Sequence, residues 1–208
     1  MHRNRGAAVL ISIGCFFILA ALTLSGYNLW DDYRAGQSVS DILDLMPVRQ
    51  PPVSDTTPDY IPDYILNPYM EMPTEEIDGY LYIGKVTIPS LELELPVMDT
   101  WDYERMRIAP CRYVGTAYLP GFVICGHNYT SHFGRLKNLS PGDSVHFTDM
   151  VGNDFSYEVA AVETLAPTAV EEMKSSKWDL TLFSCTIGGE ARVTVRCRQI
   201  QTSDESDR

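Results

Sequence analysis

Hydrophobic positions along the chain fall into two blocks separated by a polar, proline-rich stretch. The first block runs from Gly6 to about Leu24, some 19 residues broken only by small polar side chains such as Ser12 and Thr23. As a helix that length crosses a hydrocarbon core of roughly 30 Å. Arg3 and Arg5 precede it, and Tyr27, Trp30, Asp31 and Asp32 follow. Basic residues stay on the cytoplasmic side and Tyr and Trp favour the interface, so the pattern predicts a cytoplasmic N-terminus and an external body. A cleaved signal peptide is the main alternative. Its apolar core is usually about 7–15 residues and ends in a small-residue cleavage site. Here the run is longer, and Leu22-Thr23-Leu24-Ser25-Gly26 is a poor site. A segment apolar all round also does not read as a core helix.

From Asp31 to about Thr74 the character changes, and seven of the 13 prolines fall there. Residues 39–46 suit a short amphipathic helix. Beyond them proline fixes φ and removes a donor, so the stretch reads as an extended, semi-rigid spacer. Folding back as a lid over a site is the sharper alternative.

From Tyr80 onward apolar and polar residues alternate in short runs: 80–88, 92–97, 112–118, 122–126, 144–148, 155–163, 179–185 and 192–200. The period of two is clearest at the end, where Val193, Val195 and Cys197 alternate with Arg192, Thr194, Arg196 and Arg198. Turn chemistry separates the runs in Leu119-Pro120-Gly121, Pro141-Gly142-Asp143 and Gly188-Gly189. Helical pieces are short, at 101–107, 132–139 and 169–175. Eight short strands with little helix predict an all-β domain, a closed barrel or a sandwich.

Charge narrows the partners. The chain carries −12; residues 1–30 contribute +2 from Arg3 and Arg5, which leaves −12 − 2 = −14 on the remainder. A body that acidic does not suit nucleic acid, which is bound by clustered Lys and Arg, and anionic lipid headgroups repel it. The five cysteines (Cys15, Cys111, Cys125, Cys185, Cys197) show no CxxC or zinc-type spacing. Cys125 reads as core, while Cys111 and Cys197 stay open between free thiols and a disulfide.

Two fragments stand apart from ordinary barrel sequence. Val123-Ile124-Cys125-Gly126-His127-Asn128 is an apolar strand that ends by presenting an imidazole, and 179–185 is a strand that delivers Cys185 at its terminus. The Gly-Gly turn after it leads into the strand beginning at Arg192, which predicts that two antiparallel neighbours bring Cys185 and Arg192 together.

Thr181-Leu182-Phe183-Ser184-Cys185 resembles the sortase signature Thr-Leu-x-Thr-Cys. Gly126-His127 before it and Arg192-Val193-Thr194-Val195-Arg196 after it occur in that family's order. Ile83-Gly84-Lys85-Val86-Thr87-Ile88-Pro89 resembles its first strand, and Phe133-Gly134-Arg135-Leu136 through Gly142-Asp143 its segment after the histidine. The likeness covers roughly residues 80–200. It departs in Ser184, which keeps the hydroxyl, in offering a second arginine, Arg196, and in lacking an Asp-Pro-aromatic lid in the linker. The subclass stays unassigned, with class B or class D types as candidates.

The resemblance implies a closed eight-stranded sortase-type β-barrel with short helices, preceded by one transmembrane helix. It lays the chain out as a cytoplasmic N-terminus (1–5), an anchor (6–26), a Pro-rich linker (27–74), a catalytic barrel (75–200) and a polar tail (201–208). It also implies Cys185 as nucleophile, His127 as general acid/base and Arg192 as carbonyl or oxyanion stabiliser, with Thr181, Ser184 and Asn128 at the substrate. Partners would be surface proteins bearing an LPxTG-like sorting signal and an amine of cell wall or pilin. The chemistry agrees. A thiolate is a strong nucleophile, imidazolium can protonate a leaving amine, and a guanidinium holds a fixed donor fork towards an oxyanion.

No cofactor is expected. Glu163, Glu171 and Glu172 could bind calcium, but loop carboxylates are mostly just solvated. His132 and His146 read as structural, His146 on a solvent face. Papain-like peptidases place cysteine before histidine, the reverse of the order here. The L,D-transpeptidases use a Ser-His-Gly-Cys setting, which is absent. A non-catalytic membrane-tethered binding module is the rival from another class.

Overall fold

A computed structural model describes residues 3–47, 61–186 and 188–200. Parts of the expected N-terminal segment (1–2) and linker (48–60), and the expected tail (201–208), lie outside the described residues. The contacts divide the chain into two units, 1–34 and 35–208.

Helix α1 spans Arg3–Leu45. In the first unit its apolar side chains, among them Leu10, Phe16, Phe17 and Leu22, are exposed. Among the described residues it is the one helix long and apolar enough to cross a membrane. In the second unit the same helix carries a narrower stripe. Ala35, Val39 and Ile42 are buried at helical spacing, with Val39 and Leu43 in the main core and Ile42 and Met46 in a second apolar cluster.

The helix expected at 39–46 is present, and it is continuous with the apolar segment, since residues 27–38, placed in the linker, are helical too. The chain has no proline between Met1 and Met46, and Pro47 is the first residue that disfavours further helix. The linker's last part is not a free spacer either. Within 61–74, which includes the short helix α2 (Asp63–Leu66), Met72 enters the core and Tyr64 stacks on Tyr118 at 4.9 Å.

Nine strands follow: β1 (Glu75–Ile77), β2 (Tyr80–Ile88), β3 (Leu93–Met98), β4 (Cys111–Val114), β5 (Phe122–Gly126), β6 (Ser144–Asp149), β7 (Asp154–Leu165), β8 (Leu180–Cys185) and β9 (Arg192–Gln199). Their order is β1-β2-β3-β4-β5-β8-β9-β7-β6, and a β2–β6 pairing closes β2 to β9 into an eight-stranded barrel. The expected all-β closed barrel is thus present, and most strand ends fall within a residue or two of expectation. The run expected at 112–118 stops at Val114, because Thr116 turns the chain by accepting the Tyr118 N–H on its hydroxyl.

Strand β1 lies outside the closed ring and was not expected. It pairs with β2 through a two-residue loop in which Asp78 and Gly79 both take positive φ, 54° and 80°. This is the Asp-Gly hairpin geometry that matches the twist of the strands. The helices shrink to one or two turns: Arg105–Arg107 and Phe133–Asn138 are 3-10, and α3 covers Val170–Met173.

Alternation sorts the side chains. Leu180, Leu182, Val195 and Cys197 point into the barrel with Phe122, Ile124, Val145, Phe147 and Val159. A second apolar band runs across the outer surface through Tyr82, Met98, Cys111 and Cys125, with Phe183 packed against it. Ile42 of α1 joins it, as do Met106, Ile108 and Ala109 from the β3–β4 connection.

Candidate active site

Strand β8 lies between β5 and β9, parallel to the first and antiparallel to the second. Its register sets Cys185 directly opposite Arg192. On the other side Gly126, the last residue of β5, pairs with Ser184, so His127 begins the loop just past the β5 end while Cys185 ends β8 beside it; paired strands run about 4.8 Å apart. Cys185 thus has the histidine on one flank and the arginine on the other.

Beyond Cys185 the chain turns tightly. Thr186 and Ala191 extend the hairpin through Thr186 N–H to Ala191 C=O at 2.9 Å and Ala191 N–H to Thr186 Oγ1 at 3.0 Å. Arg192 Nη1 donates to the carbonyls of Gly189 (3.0 Å) and Ala191 (3.1 Å). Its Nε and Nη2 have no partner among the described residues, and its side chain lines a cleft.

That cleft continues the outer apolar band. Trp101, Tyr113, Cys125, Phe183, Val170 and Met173 line it together with Cys185 and Arg192. Aromatic edges are packed together: Tyr113 meets Phe183 at 5.3 Å, nearly perpendicular, and Trp101 lies 5.3 Å from Tyr113. The cleft is mostly apolar, with a thiol and a guanidinium among its lining residues.

The four cysteines of the barrel are not alike. All are free thiols, which answers the question the sequence left open for Cys111 and Cys197. Burial pushes Cys111 and Cys197 each up to about 12, with Asp102 and Asp179 adding respectively, and burial drives Cys125 higher still. A thiol held neutral is a poor nucleophile. Cys185 is the half-buried one, and it opens on the cleft.

Arg196 shares the outer face with Arg192 but is 2% exposed. Its Nε donates to Glu163 Oε1 at 2.7 Å, Nη1 to Thr181 Oγ1 and the Met173 carbonyl, and Nη2 to the Glu172 carbonyl at 2.9 Å. It therefore fastens α3, one wall of the cleft, to the barrel. This engages Glu163, one of the three acids considered for calcium. Among the described residues no group of three or more His, Cys, Asp or Glu side chains could hold a metal.

Of the residues expected at the substrate, Thr181 and Ser184 are buried: Thr181 receives Arg196, and the Ser184 hydroxyl donates to the Phe133 carbonyl at 3.1 Å. They support the site from beneath and do not line the cleft. Asn128 follows His127 in the loop and is also absent from the lining. His146 is half-buried on the β6 surface, its Nδ1 3.2 Å from Ser156 Oγ, and His132 is fully buried.

The loop carrying His127 is tightly built. A Cβ on Gly126 would lie 2.7 Å from the Phe133 ring, and one on Gly134 would lie 2.4 Å from the Asn128 carbonyl oxygen. The Tyr129 carbonyl accepts N–H groups from His132 (3.0 Å) and Gly134 (2.9 Å), and Phe133 N–H returns to the His127 carbonyl at 3.2 Å. Tyr129, the Trp101–Tyr113 wall and the Arg196 anchor were not expected. Single aromatic residues in a turn-rich stretch give no periodic signal.

The family model for the sortase domain matches residues 86–200, more than half of the chain. The chain belongs to the sortase family. Sortases are cysteine transpeptidases, and the match takes in the His127 loop, Cys185 and Arg192. This sortase is 27% identical to sortase A of Bacillus anthracis over 122 residues, 55% of this chain and 57% of that protein. It thus spans little more than half the length of that curated relative. Among solved structures, sortase C1 of Streptococcus suis is 27% identical with a TM-score of 0.52, covering 60% of this chain and 76% of that one. Sortase A of Corynebacterium diphtheriae shares the fold at 22% identity and a TM-score of 0.54, with 86% of each chain covered.

Proposed function

We propose that this sortase is a membrane-anchored transpeptidase that cuts an LPxTG-like sorting signal and passes the acyl group to an amine. The observation that carries the reading is the position of Cys185. It is the barrel cysteine that is not buried, it lines the apolar cleft, it pairs with Arg192, and it follows Ser184, whose partner Gly126 directly precedes His127.

In the proposed reaction the Cys185 thiolate adds to the scissile carbonyl carbon, and the oxyanion takes donors from Arg192. The C–N bond breaks as His127 gives its proton to the leaving amine, which leaves a thioester. An incoming amine returns its proton to His127, attacks the thioester carbon and expels the Cys185 sulfur. The product is a new amide on a cell-wall or pilin acceptor, with the surface protein as acyl donor. Arg192 is the clamp and Arg196 is not, because Arg196 spends its donors on Glu163, Thr181 and α3.

The apolar part of α1 is the anchor in this reading, with Arg3 and Arg5 on the cytoplasmic side and the barrel outside. Thiol labelling of Cys185 by a membrane-impermeant reagent on intact cells checks that orientation. The activity is tested with the full chain in detergent micelles, a pool of LPxTG-like peptides and an oligoglycine amine. Amine-dependent peptide transfer that disappears in Cys185→Ala supports the proposal. Transfer that persists in Cys185→Ala rejects it.

A further inference from the structure

Tyr129 sits two residues after His127, and the two rings are stacked: their centroids are 3.9 Å apart and their planes 21° from parallel. Tyr129 is itself only 8% exposed. It also meets the fully buried His132 ring edge-on, at 5.3 Å and 74°. The backbone beneath is fixed by the bonds from His132 and Gly134 to the Tyr129 carbonyl. The loop is also braced from outside, since a Cβ on Gly36 of α1 would lie 3.2 Å from Ser131 Cβ.

An imidazole at the end of a strand turns readily about χ2 unless something holds its face. Here β5 ends at Gly126 and the ladder that sets Cys185 does not extend to the His127 ring. A ring stacked on its face keeps one orientation, and the flat phenol of Tyr129 at stacking distance supplies such a hold. The rest of the stack is buried, so the platform does not shift when the cleft fills.

We propose that Tyr129 is the positioning residue of this active site: it holds the His127 imidazole by ring stacking, in the orientation needed for proton transfer at Cys185. The inference rests on the reading of His127 as the proton-transfer residue. The part used is the aromatic face, not the hydroxyl. Tyr129 touches no reacting atom, so its removal lowers the rate of the chemical steps and leaves peptide binding in the Trp101–Tyr113–Met173 groove unaltered.

The test uses full-length, selectively histidine-labelled protein in detergent micelles. In the wild type the His127 ring protons resonate upfield of ordinary histidine positions, from the ring current of Tyr129, and Tyr129→Leu abolishes the shift. With the LPxTG-like peptide pool and oligoglycine, Tyr129→Leu lowers kcat about ten- to hundredfold at unchanged KM. Tyr129→Phe restores both the upfield shift and most of the rate. Unshifted His127 protons in the wild type overturn the proposal, and that reading needs no variant to fold. A Tyr129→Leu protein with wild-type kcat overturns it too, as does a Tyr129→Phe protein as slow as Tyr129→Leu. If instead His127→Ala retains full transfer activity while the stack is seen by its shifts, the catalytic reading of His127 fails and not the stacking geometry.

Discussion

Arg192 and Arg196 stand four residues apart on one face of β9, yet only Arg192 reaches the cleft, while Arg196 is buried beneath α3 and bound to Glu163. One strand thus sends one guanidinium to the cleft and another to the wall beside it.

The two arginines should separate in mutagenesis. Arg192→Ala is expected to lower transfer about 10²- to 10³-fold, the usual loss on removing an oxyanion donor, with a thermal midpoint close to wild type. Arg196→Ala should cost about 2–3 kcal/mol, since it strips the partners of Thr181 and two α3 carbonyls. Glu163→Gln should cost under about 1 kcal/mol, because that carboxylate is 42% exposed. Calorimetry and amine-transfer rates on the same three variants check the pattern.

Thiol labelling distinguishes the barrel cysteines. At neutral pH an alkylator should modify Cys185 in the native protein, and Cys111, Cys125 and Cys197 only after denaturation, as read by peptide mapping. Native labelling of Cys125 as fast as of Cys185 would contradict the assignment of the cleft's reactive end.

The buried thiols also set an alkaline limit. Cys111 and Cys197 are raised from 9.0 to about 12 in the fold, mainly by burial. A raised pKa means the folded state holds the proton more firmly than the unfolded chain. Their contribution is therefore complete below about 9 and is lost as pH rises towards about 12. The thermal midpoint should fall across that window, and less steeply in a Cys111→Ala, Cys197→Ala double variant.

Gly134→Ala tests the loop geometry. The added Cβ would press on the carbonyl oxygens of Asn128 and Tyr129 at 2.4 and 2.7 Å. The loop must open, so transfer activity should fall at least tenfold and the thermal midpoint should drop. Full activity in this variant would show that the His127 loop is looser than described.

The barrel was legible because its strands alternate and are bounded by turn residues, and the Cys185–Arg192 juxtaposition followed from a hairpin local in sequence. The β5–β8 and β3–β4 pairings are parallel and join segments far apart in the chain, so the nearness of His127 to Cys185 came from the resemblance and not from periodicity. Strand β1 is three residues long, too short for a period-two signal, although Asp78-Gly79 marks its turn. The amphipathic helix at 39–46 was legible, but its continuity through 27–38 was not, because the charges there mask the period and Ala35 stands out as part of the stripe only against the surface it covers. Arg192 was preferred over Arg196 from the resemblance alone, because alternation places both on one face and says nothing of what packs over either.

The most direct test of the account is intact-mass spectrometry of the full-length protein in micelles after brief exposure to the LPxTG-like peptide pool without amine. A single acyl adduct is expected that maps to Cys185, is absent in Cys185→Ala, accumulates far less in His127→Ala, and is discharged by oligoglycine. An adduct on another cysteine, or one that oligoglycine does not release, would contradict it.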